Sequence, residues 1–172
     1  MLIDTLNLRS RDFAVRWKDF VRKSPQLRHY NALDDSALIE ADVPLYPLLA
    51  RTLDRGMDLP PVRDFFLSMG RRRMRDGFPI SEVIFAISLF QKTVIEYLMT
   101  EFAPENTMRM YRSMGALNHV AEFCMQGSFY ICKGFLEEMF TGMNVHGKVS
   151  EELLRKYFRD EFVPDGGQGD RF

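Results

Sequence analysis

The sequence predicts an all-α protein, a bundle of five to six helices with a long fifth helix. Three observations carry this. Apolar residues recur at three- and four-residue spacing through most of the 172 residues. No stretch alternates with period two for long enough to make a strand. Glycine or proline stands at most of the junctions between the periodic segments.

The first predicted helix spans Arg11 to Lys23. Phe13, Trp17, Phe20 and Val21 make one stripe, and Arg16, Lys18, Asp19 and Arg22 fill the other side. Ser10 is placed to cap it, and Ser24-Pro25 ends it because the residue before proline avoids the α region. A polar connector follows, Gln26 to Asp35. The second helix runs from about Ser36 to Arg55 with Leu38, Leu45, Leu48, Leu49 and Leu53 on its apolar face. Pro44 and Pro47 lie inside that stretch, so a break is expected there, with the better helix from Leu45 to Arg55 and Gly56 just past its end.

Pro61 is suited to the first position of the third helix, which runs to about Asp76 and buries Val62, Phe65, Phe66, Met69 and Met74. Gly77 ends it. Phe78-Pro79 opens the fourth helix, to about Phe102. Its apolar face (Ile80, Val83, Ile84, Ile87, Phe90, Val94, Tyr97, Leu98) is wide enough for the central helix of a bundle. The fifth helix spans Asn106 to Phe140 with a stripe of Met110, Met114, Leu117, Ala121, Cys124, Ser128, Ile131, Phe135 and Met139. Gly115, Gly127 and Gly134 weaken it by ~1 kcal/mol each against alanine and suit the close approach of a neighbour. Thr141 to Val145 breaks the pattern. The chain thus divides into a helical, sensor-like domain over 1–145 and a C-terminal part over 146–172. The latter holds an amphipathic helix, Ser150 to Phe162, and a frayed tail. Trp17, Phe66, Ile84, Ile87, Leu98, Leu117 and Phe135 are the expected core.

Composition narrows the function. Lys+Arg 23 against Asp+Glu 24 leaves a net charge of −1, which argues against a dedicated nucleic-acid binder. The most apolar run, Val83 to Phe90, spans only ~12 Å as a helix, so no membrane span and a cytoplasmic location are expected. No phosphate loop, nucleophile elbow or zinc-protease motif occurs, and no enzymatic activity is expected. His29, His119 and His146 are scattered, and Cys124 and Cys132 read as core thiols, so neither a metal site nor a resident cofactor is expected. The arginines of the run at 71–75 fan around a helix end, with Asp64 and Asp76 near for pairing. That reads as a solvated terminus favourable to the helix dipole. The eleven methionines, concentrated in and after the fifth helix, suit a helix–helix interface with a second chain.

Phe13-x-x-x-Trp17, the leucine-rich second helix and the run Gly70-Arg71-Arg72-Arg73-Met74-Arg75-Asp76-Gly77-Phe78-Pro79-Ile80-Ser81-Glu82-Val83 together resemble the N-terminal helical domain of RsbRD-type stress regulators. A similar domain opens some bacterial sensor histidine kinases. The family's characteristic run is an arginine, a glycine shortly after it, a small apolar turn and an acidic residue opening a long helix. Arg73, Gly77, Pro79, Ile80 and Glu82 occupy those places. The resemblance covers about Asp12 to Phe102. It implies a sensory or regulatory module without catalysis, joined to an output domain. No kinase or STAS domain follows within these residues, so a stand-alone regulator or a piece of a longer chain is expected. The functional expectation is a bacterial signalling module that acts by protein binding. It would be a homodimer through the fourth or fifth helix, with a histidine kinase or stress regulator as partner. The alternative is a globin-like helical sensor of haem or another small molecule, in which His119 would be the haem ligand.

Overall fold

Eight helical segments and no strand make up the described residues of the computed structural model, which are 2–56, 60–101 and 107–145. They are α1 (Leu2–Leu8), α2 (Ser10–Arg22), α3 (Arg28–Asn31), α4 (Asp35–Asp42), α5 (Leu45–Arg55), α6 (Pro60–Arg75), α7 (Ile80–Glu101) and α8 (Thr107–Val145). The all-α bundle is as the periodicity predicts, and the break between α4 and α5 falls at Pro44, while Pro47 sits in the first turn of α5, where the helix needs no N–H from it. The expected C-terminal helix and tail lie outside the described residues.

Helix α7 is the centre. It touches α2, α3, α6 and α8. Val83, Ala86, Ile87, Leu89, Phe90, Val94 and Leu98 are buried along it, while Ile84 is half-buried. The stretch Ile80–Thr100 is also long and apolar enough by itself to cross a bilayer, which the shorter run Val83 to Phe90 did not suggest. Here 44% of that stretch is buried inside the bundle. Trp17 on α2 donates its indole N–H to the Ala86 carbonyl oxygen at 2.9 Å, which fixes α2 across α7. Aromatic rings then link the layers. Phe66 on α6 meets Phe123 on α8, which meets Phe90 on α7. Phe90 meets Tyr46 on α5, and Tyr46 stacks on Phe13 of α2 at 5.1 Å.

The most extensive contact joins α6 and α8. Phe66 faces Gly127, Gly70 faces Ile131 and Phe135, and Arg71 pairs with Glu137. Residue numbers rise together, so the two helices run parallel. A Cβ at Gly127 would lie 2.7 Å from the Phe66 ring, and one at Gly134 would overlap the Leu67 carbonyl oxygen. These two glycines do admit a neighbour. Gly115 does not, having no neighbour within 4 Å.

Several expectations are corrected. Helix α1 was not anticipated. Its seven residues are too few to be stable alone, and it forms by burying Leu6 against α5. Ser10 does not cap α2 but is its first residue. Arg9 holds the cap position without a side-chain bond, and its N–H bonds back to Thr5 at 2.9 Å. The connector Gln26 to Asp35 is not all polar loop: it holds α3 and buries Leu27 and Tyr30. Helix α8 does not break at Thr141 to Val145. Threonine and glycine weaken a helix without stopping it, and Thr141 Oγ1 donates to the Glu137 carbonyl one turn back at 2.9 Å. The buried stripe of α8 is also rotated from the expected one. Val120, Phe123, Cys124, Ile131 and Phe135 are buried, Leu117 is half-buried, and Met114 and Ala121 face outward.

A candidate functional site at the corner of α6 and α7

The turn between α6 and α7 is built by its own backbone. Gly77 adopts φ 78°, a left-handed conformation that costs glycine little. Its N–H bonds to the Met74 carbonyl at 3.1 Å, and the Phe78 N–H bonds to the Arg73 carbonyl at 3.0 Å. This is a Schellman ending, in which the residue after the glycine contacts the residue three before the helix end. Here that contact is Phe78 on Arg73. The guanidinium carbon lies 4.6 Å from the Phe78 ring centre and 5.1 Å from that of Tyr30. Tyr30 and Phe78 meet edge to face at 4.9 Å, so two rings enclose one cation.

Arg73 is therefore not part of a solvated helix end: it is 8% exposed. The stripe Val62, Phe66, Met69, Arg73 places it on the buried side of α6. Its neighbours behave differently from the expectation too. Arg71 bonds Glu137 and Arg75 lies 3.5 Å from Glu138, so these arginines tie α6 to α8 rather than to Asp64 or Asp76.

Glu82, in the first turn of α7, accepts two hydrogen bonds from His29: from the backbone N–H at 2.9 Å and from Nδ1 at 2.8 Å. Burial alone would raise its carboxyl, but these bonds outweigh burial and hold it below the usual glutamate range. They pin the short α3 to the start of α7, which sets Tyr30 against Arg73.

Behind Arg73 lies a cavity of about 20 Å³ lined by Trp17, Tyr30, Asp42, Met69, Arg73 and Ile87 among others. Asp42, from the last turn of α4, is fully buried. Tyr46 donates to its Oδ2 at 2.5 Å, and its Oδ1 has no partner. Burial pushes the Asp42 carboxyl well above the ordinary aspartate range, despite the Tyr46 bond. Arg73 Nε is likewise buried without a partner. Asp42 and Arg73 thus both line the cavity, and each also holds one fully buried polar atom without a partner. Neither Asp42 nor His29 was singled out from sequence. The available signal for Asp42 was its place in the stripe Leu38, Asp42, Leu45, Leu49.

The remaining candidates lie elsewhere. His119 on α8 meets Thr52 on α5 through Nε2 at 3.1 Å. Thr52 Oγ1 donates to the Leu49 carbonyl, so it accepts from the His119 ring N–H. The nitrogen that a haem iron would take is engaged in that bond, and His119 does not line the cavity. Cys124 is buried, and burial together with the Asp42 charge pushes its thiol up to about 12; Cys132 is half-buried. Among the described residues no three His, Cys, Asp or Glu side chains converge as a metal site would require.

No curated protein and no solved structure matches the chain. The family model described as the RsbT co-antagonist protein RsbRD N-terminal domain matches residues 16–128. That span contains the α6–α7 corner and every residue named around the cavity. The match covers more than half of the chain, which therefore belongs to the RsbRD N-terminal domain family, a family of regulatory signalling domains rather than of known enzymes.

Proposed function

We propose that this domain is a non-catalytic, cytoplasmic regulatory module of a bacterial stress-response pathway, a sensor or adaptor that acts by binding protein. It works as a two-fold homodimer paired through α8. The onward partner is a stress regulator, for which the RsbT of the family description is the model, or a histidine kinase.

The observation that supports this reading is the outer face of α8. Met114, Met125 and Phe129 are 52%, 67% and 59% exposed, and Ala121 lies on the same side. Large apolar side chains gathered along one helix face, opposite the buried seam with α6, suit contact with another chain. A two-fold pairing of like faces is the commonest way in which such a surface closes on itself.

Light scattering on the purified chain tests the reading. A dimer mass is expected at tens of micromolar for the native sequence, and a monomer mass for the double variant Met125→Glu/Phe129→Glu with unchanged helicity. A native chain that stays monomeric overturns the pairing.

A further inference from the structure

We propose that α8 pairs with α8 of a second copy in antiparallel orientation, about a two-fold axis that passes beside Ser128, with Glu122 of each copy bound to Lys133 of the other. This rests on the reading of α8 as the pairing helix and fixes which way the two chains run.

The first ground is where the apolar side chains lie. Met125 and Phe129 are the most exposed large apolar residues of α8, at 67% and 59%. They stand one turn apart, and the position midway between them is Gly127. In an antiparallel pair the two-fold axis sets each residue against the one equally far beyond the axis on the other helix. An axis near Gly127 therefore places Met125 of one copy against Phe129 of the other, twice. A thioether against an aromatic ring is a favourable contact. The largest apolar side chains then occupy the centre of the interface, where binding energy concentrates.

The second ground is charge. Glu122 and Lys133 bracket this apolar pair. Eleven residues separate them, about three full turns, so they lie along one flank of the apolar face. The rise between them is ~16 Å, too far for an ion pair within one chain. Neither has a salt bridge among the described residues, and Glu122 receives only a 3.5 Å contact from the Gln126 amide. Glu137 and Glu138, by contrast, are taken by Arg71 and Arg75. The midpoint of Glu122 and Lys133 falls between Gly127 and Ser128, within one residue of the midpoint of Met125 and Phe129. One axis thus satisfies both pairs and makes two Glu122–Lys133 contacts per dimer. The outer face of α8 is its own complement when reversed.

Parallel pairing does not use this pattern. There each flank meets the opposite flank of its partner. The flank opposite Glu122 and Lys133 carries Leu117, Ala121 and Ser128, which hold no charge. The orientation also has a consequence for function. The ends of the two α8 helices at Val145 would lie ~50 Å apart. The α6–α7 corners, tied to that half of α8 by Arg75 and Glu138, would face opposite ends of the dimer as two separate docking points.

Cross-linking of the native protein with a carbodiimide is the first test, because this reagent joins only a carboxylate and an amine already in contact. Peptide mapping of the dimer band should find Glu122 joined to Lys133, and the monomer band should lack that link. Charge reversal is the second. Glu122→Lys and Lys133→Glu should each raise the dimer dissociation constant about tenfold or more at low salt, since two attractive pairs become repulsive. Mixing the two variants one to one should return the native value, because opposite charges again face each other, and high salt should narrow the differences. A native dimer without the Glu122–Lys133 link, whose variants associate no better mixed than alone, overturns the orientation and leaves pairing through α8 standing. A native chain that is monomeric by light scattering overturns both. Should a variant fail to fold, the cross-link on the native protein decides.

Discussion

Gly70 on α6 lies so close to Ile131 on α8 that a methyl group added at Gly70 would overlap the Ile131 carbonyl oxygen and come within 2.9 Å of the Phe135 amide nitrogen. Backbone cannot move aside as a flexible side chain can. Gly70→Ala should therefore push the two parallel helices apart and destabilise the fold by about 3 kcal/mol, the upper end for overpacking. Gly115→Ala should do the opposite. Gly115 is inside α8 with open space around it, so alanine should stabilise by about 0.5–1 kcal/mol. Urea unfolding of both variants checks the pair. Equal effects would mean that helix propensity, and not the α6–α8 contact, sets the response.

Two isoleucines one turn apart on α7 make a second comparison. Ile87 is buried, and Ile84 is half-buried against the same core. Truncating a buried isoleucine to alanine removes apolar contact and leaves a cavity, which costs about 2–5 kcal/mol. Ile87→Ala should fall in that range and Ile84→Ala clearly below it. The midpoints of chemical denaturation would show the order. A larger loss at Ile84 would place α7 in a different rotation about its axis.

The sequence reads most clearly where local chemistry alone decides. Pro44 and Gly77 mark a helix break and a helix end because the backbone has few other choices there, and Leu45 and Arg55 bound α5 as expected. Burial was less legible. Arg73 and Asp42 were missed because a charged residue in an apolar stripe is ordinarily read as facing out, and only tertiary structure brings the rings of Tyr30 and Phe78 over the guanidinium. The face of α8 was misjudged for another reason. Apolar residues surround much of that helix, so spacing does not select a side. Gly127 and Gly134 select it instead, by letting α6 approach, and this turns Val120 and Phe123 inward and leaves Met114 outside. His29 could not be tied to Glu82 from sequence, since 53 residues separate them.

The His29–Glu82 contact should leave a signature in acid. The folded protein holds the Glu82 carboxyl below its usual range, so it binds that proton less readily than the unfolded chain does. A depressed acid contributes stability above the unfolded value near 4.3, and the contribution fades as pH falls through the folded value. Glu82→Gln should reduce stability at pH 6 and flatten the decline below pH ~4.5. Melting temperatures between pH 3 and pH 6 measure this. Parallel curves for the two proteins would show that the hydrogen bonds from His29 do not favour the ionised form.

Asp42 should give the opposite slope. It is fully buried, its carboxyl is raised well above the ordinary value, and Tyr46 on Oδ2 only partly offsets that. Between the unfolded value near 3.9 and the raised folded value, the native state keeps a proton that the unfolded chain has released. The native state then binds more protons, so stability must fall as pH rises through that window. Asparagine is the neutral isostere: in Asp42→Asn the amide oxygen can still accept from Tyr46, and the amide N–H stands where the acid proton stood. The amide has nothing to titrate. The variant should therefore resemble the native protein near pH 4 and melt higher than it above that, the gap widening until pH passes the raised folded value and then holding constant. Below pH 4 the Glu82 effect acts on both proteins alike and cancels in the difference. Tyr46, also raised by burial and by Asp42, titrates only above this range. Thermal unfolding of both proteins from pH 4 to pH 8.5 yields the difference curve directly. A flat difference, or a variant that becomes relatively weaker as pH rises, would mean that the fold does not hold the proton on Asp42.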